Sequence, residues 1–419
     1  MLKDVLFYTF AFIAILNTIH FGLYIAGANF YDIREALRKK KPHKKQRGLR
    51  PLLTLVIPAH NEEAGIVRTL ESVRKNTYRK LQILVVDDAS TDNTRGLVWR
   101  YINEHPHMNI QLVCMKKNVG KGEAMNYALR HFAKGDLLMT LDADSLLARR
   151  SINNAVKHFD DPNIVGLAAN VRVLDDGSVL SLIQKFEHMI GYRSKKFYTL
   201  TNSEFIIGGV ASTYRMNVIR ESGYYDTDTQ TEDIGLSMKL TSKGNTQQKI
   251  IYGSDVLALT EGVQSYKALF KQRYRWKLGM LQNLLKYKSM VGNPSSMYSK
   301  TLTYYRLPMA FTSEIILLVE PILLIYVIYL SIINKNPYAL VGAYLTITLY
   351  ILWSLWPDEY LLRKSKIRLS LYAPFMYFMF YVMNAVQLVA VLRCIKNYKK
   401  VLRKVKTGGA WTSPARATN

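Results

Sequence analysis

Four apolar stretches constrain this chain more than any other feature: Val5–Ala28, Leu307–Ile333, Tyr338–Trp356 and Leu369–Ile395. A helix that crosses a bilayer needs about 20 apolar residues, and each stretch supplies roughly that. Water-soluble structure is therefore confined to the interval between the first and the second. The first stretch lacks a small-residue cleavage site and exceeds a signal peptide's apolar core, so it reads as a retained anchor. Leu307–Ile333 carries Glu314, Glu320 and Pro321, and Leu369–Ile395 carries Pro374 and Asn384. Carboxylates are costly at membrane depth and turn toward protein or water, which points to a polar path between helices. Glu314 reads equally well as an interfacial residue with no such role.

Charge supports the membrane reading. The chain holds 57 Lys and Arg against 31 Asp and Glu, a net charge of +26 over 419 residues. Such an excess suits nucleic acid or an anionic membrane surface, and its position decides between them. Arg38-Lys39-Lys40-Lys41, extended by Lys44, Lys45, Arg47 and Arg50, follows the first apolar stretch. Lys399, Lys400, Arg403, Lys404 and Lys406 follow the last. Basic residues flanking apolar spans mark the cytosolic side of a membrane protein, so no nucleic-acid partner is expected. Cys114 and Cys394, the only cysteines, give no disulfide framework or cysteine metal site.

Between the spans the sequence alternates strand and helix. Leu53–Pro58, Leu81–Val86, Ile110–Met115 and Asp136–Leu141 are apolar runs of strand length, and Glu62–Lys75, Asn93–Glu104 and Gly122–Phe132 separate them with helical spacing. This βαβα order predicts an α/β, doubly wound, mostly parallel sheet whose site lies at the carboxyl ends of its strands. Polar residues fall at those ends: Ala59 to Glu62, Asp87-Asp88 and Asp142-Ala143-Asp144. Ser151–Leu259 is less regular. Tyr266–Leu285 is amphipathic and suits the bilayer interface.

Asp142 and Asp144, at i and i+2 after an apolar strand, can share one divalent ion. Mg2+ or Mn2+ is expected, because hard oxygen ligands and substrate phosphates suit those ions. Asp87 and Asp88 at a strand end suit hydrogen bonding to a base or ribose, whereas Asp92 reads as a helix cap. Lys121, in Asn118-Val-Gly-Lys121-Gly, can neutralise a phosphate near a helix start, but the loop lacks the spacing of a nucleotide-hydrolysing phosphate loop. In Lys271-Gln272-Arg273-Tyr274-Arg275-Trp276, the guanidinium groups suit phosphate oxygens and the indole suits a sugar face.

As an ordered set, Ile57-Pro-Ala-His-Asn-Glu62, Val86-Asp-Asp-Ala-Ser-Thr-Asp92, Asn118-Val-Gly-Lys-Gly122, Asp142-Ala-Asp144, Thr231-Glu-Asp233 and Gln272-Arg-Tyr-Arg-Trp276 resemble the processive family-2 glycosyltransferases. Within that group the chain is most similar to the bacterial poly-β-1,6-N-acetylglucosamine synthases of biofilm exopolysaccharide. The single N-terminal anchor and the tail Gly409-Ala-Trp-Thr-Ser-Pro-Ala-Arg416 also point there. The resemblance implies a GT-A type domain fused to transmembrane and interfacial helices. It divides the chain into an anchor (1–32), a basic cytosolic linker (33–50), a cytosolic transferase domain (51–262), interfacial helices (263–306), transmembrane helices (307–395) and a basic tail (396–419).

It also implies roles. Asp233 would be the general base. Ala59, Glu62, Asp87, Asp88, Lys121, Asp142, Asp144, Gln272, Arg273 and Arg275 would bind the donor UDP-GlcNAc, with Asp142 and Asp144 at the metal. Trp276, Glu232 and Gly209 would meet the growing polysaccharide acceptor. The bilayer and a small accessory membrane subunit would complete the partners, at the plasma membrane with the catalytic domain in the cytosol. A hyaluronan- or chitin-like synthase, a non-processive lipid-linked transferase and a non-catalytic scaffold are the alternatives. Four full crossings would place the basic tail and Trp411 outside, against the charge rule. One later segment is therefore expected not to cross, and Leu307–Ile333, with its proline and carboxylates, is the expected one.

Overall fold

The computed structural model describes residues 2–40 and 50–403. Its elements begin with α1 (Leu2–Lys40), β1 (Leu53–Ala59), α2 (Ile66–Arg74), β2 (Leu81–Asp87), α3 (Thr94–Glu104), β3 (Ile110–Cys114), α4 (Lys121–His131) and β4 (Leu137–Thr140). There follow β5 (Leu146–Leu147), α5 (Ser151–His158), β6 (Ile164–Val173), α6 (Val179–Leu200), β7 (Ser212–Arg215), α7 (Met216–Ser222), α8 (Glu232–Ser242) and β8 (Lys249–Thr260). Last come α9 (Tyr266–Lys286), α10 (Leu307–Ile333), α11 (Tyr338–Leu355), α12 (Arg363–Lys396) and α13 (Tyr398–Leu402).

β1 is buried along its whole length because helices cover both faces of the sheet. Successive side chains point to opposite faces. Leu55 and Ile57 pack with Ile66, Leu70 and Val73 of α2, while Val56 joins Ala124, Met125 and Ala128 of α4. The eight strands run in the order β3-β2-β1-β4-β7-β6-β8-β5. β1 is parallel to β2 and β4, β2 to β3, and β6 to β8.

The sheet is nevertheless mixed. β7 runs antiparallel to both β4 and β6, and β5 antiparallel to β8. The reversal follows from α6, a 22-residue helix that carries the chain away from the sheet so that Ser212–Arg215 returns in the opposite sense. This half falls in the stretch where the sequence lacks a clear period. Parallel pairing on the β1 side puts Ala59, Asp87 and Asp142 on one edge.

α1 extends past the expected anchor boundary at residue 32. Side chains in its C-terminal part dock on the domain: Tyr31 Oη donates to Tyr252 O at 2.8 Å and Lys196 meets Asp32 at 2.5 Å. The start of the basic linker is thus helical, while residues 41–49 and the tail from 404, including Trp411, lie outside the described residues.

Four helices are long and apolar enough to cross a membrane: α1, α10 with the turn before it, α11 and α12. α10 runs unbroken through Pro321, so the helix expected to re-enter shows no break. α12 behaves differently. Just before it, Asp358 pairs with Arg172 of β6, and near its start Arg368 pairs with Asp175. Midway, Met383 and Val386 pack on Leu180 and Ile183 of α6 and on Leu269 of α9. Near its end, Arg393 lies 4.7 Å from the Tyr274 ring, and just beyond it Lys400 O accepts from Gln282 Nε2 at 2.9 Å. Its 34 residues span about 51 Å, yet it touches the soluble domain from end to end.

Candidate active site

A cavity of about 590 Å3 opens between the sheet edge and helices α6, α8, α9, α10 and α12. Glu62, Lys121, Asp142, Asp144, Gly209, Glu232, Asp233, Gln272, Arg273, Arg275 and Trp276 all line it. These residues are scattered over more than 200 positions, and folding gathers them on one wall.

Three loops bring them together. β4 ends at Thr140, whose Oγ1 donates to Gly209 O at 2.9 Å. Lys121, the first residue of α4, places Nζ 2.6 Å from Asp142 Oδ1 and 3.7 Å from Glu232 Oε1. A Cβ at Gly209 would lie 3.2 Å from Lys121 Nζ, 3.7 Å from Asp233 Oδ2 and 3.8 Å from Asp142 Oδ1. The backbone at Gly209 is therefore the point on which these three charges converge. α9 locks onto the start of α8 by close approach. A Cβ at Gly279 would sit 2.3 Å from Thr231 Oγ1, and Asn283 Nδ2 donates to Thr231 O at 3.3 Å. Only glycine at 279 lets the helix with Gln272 to Trp276 approach the loop with Asp233 this closely.

The electrostatics follow from this crowding. Burial, and then Glu232 beside it, push the Asp233 carboxyl up to about 6, against the opposing pull of Lys121 and Arg275. Burial alone would lower Lys121, but Asp142 and Glu232 outweigh it and hold the ammonium firmly charged. A carboxylate poised near neutrality in a cavity lined with cations is equipped to take up a proton.

Other predicted residues sit elsewhere. Ala59, Asp87 and Asp88 are fully buried and do not reach the cavity wall. Asp88 accepts from the backbone N–H groups of Val119 at 2.9 Å and Gly120 at 2.8 Å, so it holds the loop before α4. Burial raises its carboxyl, with those two N–H groups opposing. Asp87 pairs with Arg95 and accepts from Ser90 N. Its Oδ1 has no hydrogen-bond partner among the described residues. Ala59, Asp87 and Asp88 thus lie behind the cavity wall, with Asp88 and one oxygen of Asp87 engaged by protein groups. Asp92 caps α3 as expected, its Oδ1 accepting from Thr94 N at 3.0 Å. Arg273 lines the cavity and pairs with Glu187.

Sequence reading missed the contribution of α6. Gln184, Glu187, His188, Tyr192 and Lys195 line the cavity from one side of that helix. Their recurrence at 184, 188, 192 and 195, on one side of a helix, is the signal that would have found them. Lys277 and Glu314, 2.7 Å apart, join α9 to α10 at the cavity's membrane side.

The donor set fits a substrate-completed metal. Among the described residues no three acidic, His or Cys side chains form a cage. Asp142 and Asp144 supply two hard oxygen ligands at most, the situation in which Mg2+ or Mn2+ relies on substrate phosphates and water.

The sequence profile of glycosyl transferase family 2 matches residues 54–223. That span of the chain resembles the family 2 glycosyl transferases. Poly-beta-1,6-N-acetyl-D-glucosamine synthase of Staphylococcus aureus (strain COL) is 30% identical over 237 residues, 56% of each chain. The enzyme of the same name in Staphylococcus epidermidis is 27% identical over 272 residues, 63% of each. The chain thus spans little more than half the length of the first of these relatives. A mannosyltransferase from Pyrobaculum calidifontis, solved in complex with GDP-Man and Mn2+, superposes with a TM-score of 0.57 at 22% identity, over 94% of this chain and 98% of that one. This likeness and the family match make the fold that of the GT-A glycosyltransferases. The family match ends at residue 223, so α8 and α9 lie beyond it.

Proposed function

We propose that this chain is a membrane-embedded inverting glycosyltransferase that polymerises N-acetylglucosamine from UDP-GlcNAc into a β-1,6-linked exopolysaccharide. The observation that carries the reading is the shared cavity of Asp233, Asp142, Asp144, Arg275 and Trp276. In the reaction, Asp233 accepts the proton of the acceptor hydroxyl as its oxygen bonds to the donor's anomeric carbon. The bond from that carbon to UDP breaks from the opposite side, and the anomeric configuration inverts. Gln272 and Arg275 face the leaving diphosphate, and cations there stabilise its developing charge. Mg2+ or Mn2+, held by Asp142 and Asp144, supplies further neutralisation of that diphosphate when bound. Trp276 offers an apolar face to the acceptor sugar. The curated relatives, named as poly-β-1,6-GlcNAc synthases, support the choice of sugar and linkage.

The test is the product. Protein in lipid nanodiscs with UDP-GlcNAc and Mn2+ should yield a polymer whose methylation analysis shows 1,6 linkages. Linkages at position 4 or a requirement for UDP-glucuronate would replace this reading with a chitin- or hyaluronan-like one. A single added sugar would replace it with a non-processive transferase.

For the orientation, α1, α10 and α11 cross and α12 lies along the membrane face of the domain. Its contacts at both ends support this, since a crossing helix would carry one end about 30 Å away. Three crossings put Arg38–Arg50, Arg363–Arg368 and the tail on the domain's side, leaving only Lys335 between α10 and α11. Cysteines introduced at 336 and 418 in a background lacking Cys114 and Cys394 should label from opposite sides of intact vesicles. Labelling from the same side would refute this arrangement.

A further inference from the structure

We propose that Glu187 and Arg273 are positioning residues that hold Trp276 in place, and that Arg273 is not part of the donor grip. The proposal deepens the reading above, since it takes Trp276 as the acceptor platform. Gln272, Arg273 and Arg275 lie within four residues of one another on α9, yet the structure gives them different surroundings.

Arg273 is 5% exposed, and its guanidinium lies 4.3 Å from the centre of the Trp276 ring. Residues three apart on a helix are neighbours, so this stacking is built into the sequence spacing. A planar guanidinium on an indole face is attracted to the ring's electron density, more strongly where water is excluded. The opposite pole of Arg273 is fixed as well. Its Nη2 donates to Glu187 Oε2 at 2.5 Å, within an ion pair that links α9 to α6. Burial pulls the Arg273 guanidinium below its ordinary range, and Glu187 opposes that pull. One buried cation balanced by one carboxylate does not call for a phosphate. To reach a diphosphate, Arg273 would have to leave Glu187 and uncover Trp276.

Arg275 contrasts with it. It lines the same cavity, makes no ion pair among the described residues, and is close enough to Asp233 to help lower that carboxyl. Gln272 Oε1 and Arg273 Nε are both buried without a hydrogen-bond partner among the described residues, so what separates Arg273 is its ion pair with Glu187 and its stacking on Trp276. α9 therefore offers Gln272 and Arg275 to the donor and uses Arg273 internally.

Glu187 is itself held firmly. Phe186, next to it, is fully buried against Ile351 and Leu355 of α11 and Leu369, Ala373 and Met376 of α12. His188, on its other side, has Nδ1 3.3 Å from Val171 O. The chain of contacts runs from the membrane helices through Phe186 and Glu187 to Arg273 and the indole. Acceptor placement is thereby referred to the helices α11 and α12 rather than to the donor half of the site.

The experiment uses the full chain in nanodiscs and two binding titrations, one with UDP and Mn2+ and one with a β-1,6-linked N-acetylglucosamine pentamer. Glu187→Gln and Arg273→Lys should each weaken pentamer binding by about tenfold, the loss expected from a desolvated stacking contact, and leave the UDP Kd within about twofold. Arg275→Lys should do the reverse, weakening UDP and sparing the pentamer. Glu187→Asp, which keeps the charge, should recover part of the lost pentamer affinity, and it serves as the second variant if Glu187→Gln lowers the yield of folded protein. Arg273→Lys that weakens UDP more than about fivefold and spares the pentamer would make Arg273 a donor ligand and overturn the proposal. Unchanged binding of both ligands would overturn it as well. Wild-type protein that binds neither ligand would instead remove the transferase reading on which it rests.

Discussion

Two clusters of charge sit side by side at the edge of this sheet, and they are built on opposite principles. At the ends of β1 and β2, Asp87 and Asp88 are fully buried and engaged by Arg95, Ser90 and the N–H groups of Val119 and Gly120. At the end of β4 and the start of α8, Asp142, Asp144, Glu232 and Asp233 face a cavity, and all but Asp144 crowd around one lysine. The first cluster uses carboxylates as scaffold. The second keeps them in tension, with Asp233 pushed toward neutrality by burial and by Glu232. The difference lies in what the carboxylates face, protein groups in the first cluster and a cavity in the second, since burial raises Asp88 and Asp233 alike.

Substitutions should separate the two clusters. The largest effect belongs to Asp233→Asn, which removes the base and should lower turnover by about 10²- to 10⁴-fold while UDP binding persists. Turnover measured with radiolabelled UDP-GlcNAc checks this, and retained activity would take the base role from Asp233. Next is Asp88→Ala, which leaves the half-buried Val119 N–H without its partner and Gly120 N–H with only Asn118 Oδ1, and should cost about 1–3 kcal/mol. Thermal unfolding of the detergent-solubilised protein would show this as a lowered Tm. Asp144→Asn should leave Tm unchanged and raise the Mn2+ concentration needed for half-maximal UDP binding by about tenfold or more.

The smallest effect has the most telling sign. The Asp233 carboxyl is raised in the fold from its ordinary value to about 6. A raised group contributes stability below its unfolded pKa, and that contribution is lost as pH rises through the folded value. Asp233→Asn should therefore stabilise the fold at pH 7.5 by on the order of 1 kcal/mol, seen as a higher Tm, with the difference vanishing toward pH 4. The rate should fall as pH drops below about 6, where the base is protonated. An Asp233→Asn protein less stable at every pH would place Asp233 with the scaffold cluster.

The sequence exposes the two clusters unequally. Strands β1 to β4 and helices α2 to α4 are legible because burial on both faces forces continuous apolar runs, and their ends locate the acidic pairs. Nothing in Asp87-Asp88 distinguishes scaffold from ligand, since the partners Arg95 and Val119-Gly120 arrive only with tertiary contact. Asp233 and Gln272 to Trp276 are found by resemblance, yet the pairing of Arg273 with Glu187 is hidden, because Glu187 lies in the stretch 151–259 where the sequence shows no clear period. β7 escapes notice for a different reason. Four residues are too short to show a period, and their direction is set by where α6 returns the chain. The same limit hides α12, whose composition suits a crossing helix while its contacts lie along the domain.

The most direct test of the working cluster is UDP release by the purified full chain in nanodiscs, measured with UDP-GlcNAc and a panel of other UDP-sugars in the presence and absence of Mn2+. Release from UDP-GlcNAc that needs the divalent ion and disappears in Asp233→Asn is the expected result. Folded protein that releases no UDP from any of these donors would contradict it.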